Sequence, residues 1–265
     1  MQEAEIAQQL QIVVISLAGS TERREMVSAR MEASAIPWRI YDASGGEDNT
    51  LPHDPVRTLV RHGSTLTQSE IGCFLSHYRC LRDFSVGDSA YDYMLVLEDD
   101  VWIDRSFDFN RLPLILGWLD IHFLLLYSRQ IGEARFLGKI GHRLLYRFVN
   151  MPFGNQAYIV SKAGAKKIVD AIRRIDRPID KEMEMYWING LPTYALFPYP
   201  VLEMNFKTTV DKGYAVLQKR TLSLRLRRCL FLFANMIRRT RADLSLFPRD
   251  RRILKMTSAR NMPRI

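Results

Sequence analysis

The sequence predicts an α/β fold with a mostly parallel sheet flanked by helices, followed by a basic helical C-terminal tail. Short apolar runs over 12–17 and 37–41 enclose a polar helical stretch, which is the order of a β-α-β unit. A capping pattern at 67 begins a long amphipathic stretch, and an apolar run over 93–97 ends in three acids. With 265 residues, the chain has room for one large α/β domain or two small ones.

The elements of the first half follow from clear local patterns. Gly19 and Ser20 separate the first strand from a helix predicted over 21–33, and the second strand ends at Asp42. Residues 43–66 are polar and contain glycine and proline, so a loop is predicted there. Thr67 and Glu70 have capping-box spacing and precede apolar residues at helical spacing, which predicts a helix over about 68–84.

The elements of the second half have weaker signals. We predict a strand over 93–97, a helix near 109–119, a strand over 121–127 and a hairpin within 131–150. A short strand over 157–160 is followed by a helix to about 174, with Ser161 as its N-cap. A further helix opens at Pro178 and extends to about 189, and a last strand lies near 193–197.

Charge divides the chain into a slightly acidic part, 1–211, and a basic part, 212–265. The net charge is +9 overall, and the basic part alone holds 15 Lys and Arg against 2 acids. Between Thr221 and Arg241, apolar residues at helical spacing lie between arginine clusters, a pattern typical of a helix on an anionic membrane surface. Packing on the core or in a dimer is an alternative. A nucleic-acid arm is another, but no RNA-binding fingerprint accompanies the arginines, so we expect no nucleic acid.

Targeting signals and cysteines add two expectations. The first ten residues lack a basic n-region, and no apolar stretch approaches the roughly 18 residues of a spanning helix, so a cytoplasmic, peripheral membrane location is expected. The three cysteines form no C-x-x-C pair, which argues against a zinc site. Cys73 and Cys80 are interpreted as small apolar fillers on one helix face.

The acids Glu98, Asp99 and Asp100 carry the strongest chemical signal. Their charges repel one another at the end of a buried strand, and a divalent cation would neutralise them. Because residues i and i+2 of an extended chain point the same way, Glu98 and Asp100 are predicted to face one metal site, with Asp99 opposite or supporting. Mn²⁺ or Mg²⁺ would suit these oxygen ligands. A solvated acidic turn is the alternative.

Several motif blocks follow one another along the chain. They are Val14 to Leu17 with Arg23 and Arg24, Leu66 to His77, Leu97 to Asp100, and a looser block over 154–167 with 178–180. Together they resemble glycosyltransferase family 25, the β-galactosyltransferase-like enzymes of lipooligosaccharide and lipopolysaccharide biosynthesis in Gram-negative bacteria. Ser16 and Ser69 stand where that family usually has Asn and Gly.

The resemblance implies a GT-A-like fold and an inverting transfer, most often of galactose, from a UDP-sugar to a lipooligosaccharide or lipopolysaccharide core glycolipid. Inversion by direct displacement needs a general base for the acceptor hydroxyl. Asp180 is the candidate, although Asp is also a preferred N-cap, and Glu182 and Glu184 are alternatives. His77 is the second candidate catalytic residue, because the family block includes it; a polar surface residue is its other interpretation.

The donor-binding candidates carry polar groups near strand ends. Arg23 and Arg24 suit phosphate oxygens, Asp42 is a candidate for the nucleoside, and Glu70 has a binding role to weigh against its capping duty. The full donor-binding set is Ser16, Leu17, Arg23, Arg24, Asp42, Glu70, Asp99, Asn155 and Gln156.

Three other functions compete with a transferase. The first is a non-catalytic, membrane-attached glycan-binding protein, against which the intact Glu98 and Asp100 argue. A metal-dependent phosphohydrolase would be expected to carry more metal ligands, especially histidines. A basic nucleic-acid-binding protein is the third. The motifs encode neither the donor sugar, the acceptor, the linkage nor the oligomeric state.

Overall fold

A central eight-stranded sheet runs through the computed structural model, which describes residues 10–32, 34–46, 50–130, 132–150, 152–204 and 221–259. The strands are β1 (Leu10–Ser16), β2 (Trp38–Asp42), β3 (Tyr93–Glu98), β4 (Val101–Ile103), β5 (Phe123–Leu125), β6 (Ala134–Ile140), β7 (Arg143–Phe148), β8 (Ala157–Ser161), β9 (Tyr194–Phe197) and β10 (Val201–Glu203). The large sheet has the order β2-β1-β3-β8-β5-β9-β7-β6, and β4 pairs with β10 in a separate ribbon.

Strand directions confirm the predicted mostly parallel sheet. The strand β1 runs parallel to β2 and β3, and β5 runs parallel to β9. Only β7 and β8 run against the other strands of this sheet, since each pairs antiparallel with both of its neighbours. The carboxyl ends of β1, β2 and β3 therefore meet at one edge, where open α/β sheets commonly bind ligands.

Helices cover both faces of the sheet. They are α1 (Thr21–Met31), α2 (Pro55–Arg61), α3 (Gln68–Val86), α4 (Leu112–Trp118), α5 (Lys162–Ala171), α6 (Ile179–Met183), α7 (Tyr186–Asn189) and α8 (Leu222–Thr257), with a 3-10 turn at Phe109–Arg111 before α4. Alternate residues of β1 enter opposite hydrophobic clusters: Ile12 packs with α1 and α4, and Val13 packs with α3 and α5. Burial on both faces explains why the strand reads as a continuous apolar run.

Four element predictions need correction. The segment 43–66 is not all loop, because Asp54 caps α2 by accepting from the amides of Val56 and Arg57, with Pro55 in its first turn; residues 47–49 lie outside the described ones. The helix predicted over 178–189 is two short helices, α6 and α7. The helix after β8 ends at Ala171, and the strand over 121–127 is only Phe123–Leu125. The ribbon of β4 and β10 was not predicted, because three-residue strands carry too little pattern.

The C-terminal helix α8 is longer than the predicted amphipathic segment and is docked through polar residues. It packs against β6, α2 and α7. The Arg147 guanidinium, fully buried, donates to Asp243 at 2.7 Å and to Asp250 at 2.8 and 2.7 Å. By contrast, the apolar side chains of the predicted membrane face are exposed: Leu222, Leu226, Leu230, Phe233, Met236 and Ile237. None of the helices that the structure describes is both long and apolar enough to span a bilayer.

Candidate functional site

A cavity of about 480 Å³ lies at the carboxyl ends of β1 and β3 and brings together many of the predicted site residues. The first three turns of α3, the loops after β1 and β2 and the end of β3 form its walls. Its lining includes Ser16, Leu17, Arg23, Cys73, His77, Glu98 and Asp99. A slightly larger cavity of 510 Å³, beside β4 and α1, contains none of the predicted site residues.

The three acids at the end of β3 have separate surroundings. Asp99 is buried and accepts from the Ser16 hydroxyl at 2.6 Å and from Arg23 at 3.0 Å. Asp100 keeps its Oδ1 buried without a hydrogen-bond partner among the described residues. Burial, followed by the charges of Glu98 and Asp99, raises the pKa of Asp100 to about 7. Asp99 is therefore bound closely by two protein groups, whereas Asp100 has a longer ion pair of 3.7 Å between its Oδ2 and Arg23.

His77 is buried beside Glu98, with only 1% of its surface exposed. Its Nδ1 lies 3.0 Å from the Tyr158 hydroxyl, and its Nε2 lies 3.5 Å from Oε1 of Glu98. Because the Tyr158 hydroxyl occupies one ring nitrogen, the other is the one aimed at the acid. The alternative that His77 is a polar residue on the surface is therefore wrong, and the helix α3 directs its side chain toward the end of β3.

Cys73 was not predicted as a site residue, and its interpretation as a filler is wrong. It lies one helical turn before His77 and opens to the cavity, whereas Cys80 is buried. Surrounding protein and the charges of Glu98 and Asp180 raise the pKa of the Cys73 thiol. Ligand atoms of Cys73, His77 and Glu98 all lie within 4.8 Å of one another, which makes them the one candidate metal-holding trio in the described part of the chain. The argument against a zinc site rested on the lack of a C-x-x-C pair and did not consider the C-x-x-x-H spacing of Cys73 and His77, which is the sequence signal for this trio.

Asp180 lies near the same site. Its carboxylate accepts from the amide of Gly154 at 3.3 Å and from that of Lys181 at 2.7 Å. Of the two alternative bases, Glu182 is bound to Arg177 at 2.5 Å. Glu184 is 2% exposed, and burial with the nearby charge of Asp180 raises its pKa well above the usual range. Asp180 is therefore the acid of the three that is neither ion-paired nor fully buried within the described structure.

The loop of Asn155 and Gln156 connects Asp180 to β3. The backbone oxygen of Gln156 accepts from the Glu98 amide at 2.8 Å. Both side chains are buried, and Asn155 Nδ2 and Gln156 Oε1 have no hydrogen-bond partner among the residues described. Unsatisfied buried amides are costly, which makes them candidates for ligand contacts. Gly154 has a φ of +111°, and a Cβ there would come within 2.6 Å of Gln156 Oε1, so the loop requires glycine.

The remaining donor-binding candidates are engaged in local structure. Arg24 donates to the backbone oxygens of Leu17 at 3.0 Å and Ser16 at 2.7 Å, and to Asp42 at 2.6 Å. Glu70 accepts from the Thr67 amide at 2.8 Å, which confirms the capping box. Arg24 and Asp42 therefore shape the end of β1.

One ion pair beside the site, between Arg129 and Glu203, could not be predicted from the sequence. Arg129 donates to Glu203 at 2.9 and 2.5 Å, and its charge reaches Glu98 and Cys73. The two residues come from distant parts of the chain, so no local motif could connect them.

Comparisons with known proteins agree with the motif blocks. A family model described as glycosyltransferase family 25 (LPS biosynthesis protein) matches residues 9–183. A Haemophilus influenzae lipooligosaccharide biosynthesis protein, lic2B, is 24% identical over 79% of this chain and 86% of its own length. Human procollagen galactosyltransferase 2 is 27% identical over 61% of this chain and 27% of its own. A bovine protein named probable inactive glycosyltransferase 25 family member 3 is 29% identical over 64% of this chain; the match spans 30% of the bovine protein.

Two solved structures overlap the fold at low similarity. Drosophila β1,4-galactosyltransferase 7 in complex with manganese, UDP-Gal and xylobiose gives a TM-score of 0.37 at 8% identity, covering 81% of each chain. A glycosyltransferase involved in glycosylation of the major capsid of PBCV-1 gives 0.31 at 10% identity, covering 61% of this chain and 65% of the other. Because the family model matches more than half of the chain, the protein belongs to glycosyltransferase family 25.

Proposed function

We propose that the protein is an inverting glycosyltransferase that transfers galactose from UDP-galactose to a lipooligosaccharide or lipopolysaccharide core glycolipid. One observation carries the proposal: the loop 154–156 contacts both candidate groups, since its Gln156 oxygen accepts from the amide of Glu98, which lies beside His77, and its Gly154 amide donates to Asp180. The buried side-chain amides of Asn155 and Gln156 in the same loop have atoms without partners in the described structure. Such a set combines charge, a proton acceptor and hydroxyl-binding groups. The name of the Haemophilus protein supports a lipooligosaccharide acceptor, and the name of the human procollagen galactosyltransferase supports transfer of galactose.

The cofactor would be Mn²⁺ or Mg²⁺, held by Glu98 and Asp100. The buried Oδ1 of Asp100, without a partner in the described part of the chain, and the raised pKa of this carboxyl are what a nearby cation would relieve. When bound, such an ion stabilises the departing diphosphate. Asp99 would orient the strand end through Ser16 and Arg23. The trio with Cys73 and His77 has the softer donor atoms that suit zinc, so the metal identity needs a direct test.

Asp180 would act as the general base. The two amides that donate to its carboxylate orient it, and the proton of the acceptor hydroxyl would pass to this group. Its exchange for Asn keeps the shape and removes the base, so we expect kcat to fall by about 10²-fold or more while the Kd for the UDP-sugar changes little. A Glu184→Gln variant is the comparison. If kcat falls in Glu184→Gln and not in Asp180→Asn, Glu184 and not Asp180 is the general base.

The deciding experiment measures UDP release from a panel of UDP-sugars with a glycolipid acceptor and with Mn²⁺, Mg²⁺, Zn²⁺ or EDTA. Glu98→Ala and Asp100→Ala are expected to lower metal-dependent turnover by about 10²-fold or more, because charge stabilisation of the leaving group is lost. Asp88→Ala, an exposed acid away from the cavity, is the matched control. Turnover that survives both substitutions would refute the acidic site.

A non-catalytic glycan-binding protein is the alternative, which the name of the bovine relative makes relevant. It predicts that folded protein binds the glycolipid but releases no UDP from any UDP-sugar, with any of the three metals. The retained acids and the unsatisfied amides favour the transferase, since a relic site would have no reason to keep costly buried groups.

A further inference from the structure

A second cavity, of about 390 Å³, lies between α2, the segment around α6 and α7, and the C-terminal helix α8. Five cationic side chains line it: Arg61, Arg177, Lys181, Arg228 and Arg239. Among the residues that the structure describes, no Asp or Glu lines this cavity. None of its lining residues is among the candidate catalytic, donor-binding or metal residues, and none belongs to the cavity at the end of β3. Part of the lining, including Arg228 and Arg239, comes from the Thr221–Arg241 segment.

Aromatic rings hold the cations of this basic cavity against its walls. The Arg61 guanidinium lies 4.1 Å from the centre of the Phe231 ring, and Arg177 lies 5.6 Å from the same ring. The Lys181 ammonium lies 4.8 Å from the Phe153 ring. Contacts of this kind stabilise a cation without neutralising it. Arg177 also pairs with Glu182, so one acid from outside the lining offsets one of the charges.

The cations crowd one another. Burial, and then the charges of Lys181, Arg177 and Arg228, lower the pKa of His62 to about 4, so this histidine is neutral at pH 7. Burial also lowers the pKa of Lys181. The positive charges of Arg228 and Arg177 lower it further, and the negative charges of Asp180 and Glu70 oppose this change. An anion in the cavity would relieve this repulsion, as opposite charges favour the protonated forms.

Two residues that line the basic cavity are neighbours of the proposed base or of its hydrogen-bond partner. Lys181 follows Asp180 directly, and Phe153 precedes Gly154, whose amide donates to Asp180. Apolar groups of Met185, Trp187 and Leu232 complete the wall, so the cavity suits an anionic group on a larger amphipathic ligand. We propose that this basic cavity binds a phosphate or carboxylate group of the acceptor and so orients the acceptor hydroxyl toward Asp180. The acceptor part of this inference rests on the proposed transferase function; the anion site itself does not.

The first test measures anion binding alone. The full chain, with saturating UDP to fill the donor site, is titrated with inorganic phosphate at pH 7 by calorimetry and by the fluorescence of Trp187, which lines the cavity. The double variant Arg61→Gln/Arg239→Gln is expected to bind phosphate about tenfold more weakly or worse. Arg251→Gln/Arg252→Gln, on exposed positions of α8, loses the same net charge and is expected to stay within about twofold. Equal weakening in both variants, or no saturable binding to the wild type, would overturn the proposal.

The second test connects the anion site to transfer. Matched acceptors with and without a phosphate or carboxylate are compared. We expect Arg61→Gln/Arg239→Gln to raise the KM for the anionic acceptor about tenfold and to remove the preference for it, with the effect on acceptor KM rather than on the KM for UDP-sugar. If no UDP-sugar turns over but phosphate still binds as predicted, the transferase proposal fails and the anion site stands. Loss of binding to phosphatidylglycerol vesicles in this variant, without loss of phosphate binding, would instead assign the cavity to a lipid headgroup and overturn the acceptor assignment.

Discussion

At the residue scale, the three consecutive carboxylates that end β3 differ because their neighbours differ. Glu98 faces His77, Asp99 is bound by Ser16 and Arg23, and Asp100 keeps a buried oxygen for which the described residues offer no partner. Identical chemistry in sequence therefore becomes three separate roles. Asp100, whose ion pair with Arg23 is 3.7 Å long and whose Oδ1 has no hydrogen bond among the described residues, is where a cation would contribute most.

Asp100 gives a prediction about pH. Its pKa is about 7 in the folded protein against an ordinary value of 3.8, so folding favours the protonated acid. The free energy of unfolding should therefore fall as pH rises from about 4 to about 7 and stay reduced above that range. In EDTA, Asp100→Asn is expected to be more stable than wild type by about 1–3 kcal/mol at pH 8, with little difference at pH 4.

Urea denaturation at both pH values measures this difference, and exposed Asp88→Asn is the control. Addition of Mn²⁺ should stabilise the wild type and not Asp100→Asn. A stability difference that is the same at pH 4 and pH 8 would contradict the account of Asp100.

At the element scale, the capping box fixes the start of α3, the helix that carries Cys73 and His77. The Thr67 hydroxyl accepts from the Glu70 amide at 3.2 Å, and the Glu70 side chain reaches back to the Thr67 amide. Thr67→Ala is expected to lower the free energy of unfolding by about 1 kcal/mol, because one amide at the helix start loses its acceptor. Ser85→Ala, near the other end of α3, should cost less than about 0.5 kcal/mol in the same urea titration. Equal losses of unfolding free energy in Thr67→Ala and Ser85→Ala would show that the Thr67 cap does not stabilise the start of α3.

The buried ion pairs of Arg147 anchor α8. Arg147→Met leaves the buried Asp250 without its main partner and Asp243 with Arg135 alone, so a loss of about 3–5 kcal/mol is expected. The triple variant Arg147→Met/Asp243→Asn/Asp250→Asn should recover much of this loss, since no buried carboxylate charge remains and the Arg135 side chain, which also pairs with both acids, is 35% exposed to water. Limited proteolysis within α8, together with urea denaturation, reports whether the helix detaches. Failure of the triple variant to recover would mean that packing, not charge, holds α8.

At the scale of the whole molecule, α8 is attached by one face and exposes an apolar stripe on another. Leu226 and Leu230 are each 60% exposed and Phe233 is 59% exposed, beside the arginines of the same segment. This arrangement supports the prediction that Thr221–Arg241 lies on an anionic membrane, where the proposed glycolipid acceptor would be found. Each of these side chains would add roughly 1 kcal/mol on partial burial in the interface.

We therefore expect Leu226→Ser/Leu230→Ser/Phe233→Ser to reduce co-sedimentation with phosphatidylglycerol vesicles about tenfold or more, and added salt to weaken the wild type. Leu244→Ser, an exposed position on α8 beyond Arg241, is the control. If vesicle binding is unchanged but a concentration-dependent dimer disappears in light scattering, the stripe is a contact between two copies.

The motifs of the site could be predicted wherever the signal was local. The apolar run of β3, its terminal acids and the capping box of α3 are contiguous in sequence, and each occurs as expected. The surroundings of each acid could not be predicted, because Ser16 and Asp99 are 83 residues apart. Likewise, α2 was missed although Asp54 and Pro55 marked its start, since seven residues carry little periodicity.

By itself, the sequence determined the α/β class, the family motifs and the basic, amphipathic character of the C-terminal segment, because strand length, helical period and charge are properties of neighbouring residues. The tertiary structure alone decided that Cys73 joins His77 and Glu98 and that Arg147 anchors α8. It also placed His62 within 3.5 Å of Lys181, 119 residues along the chain, in a basic cavity. The physical reason is that burial and long-range charge set what a side chain can do, and both depend on segments that meet only when the chain folds.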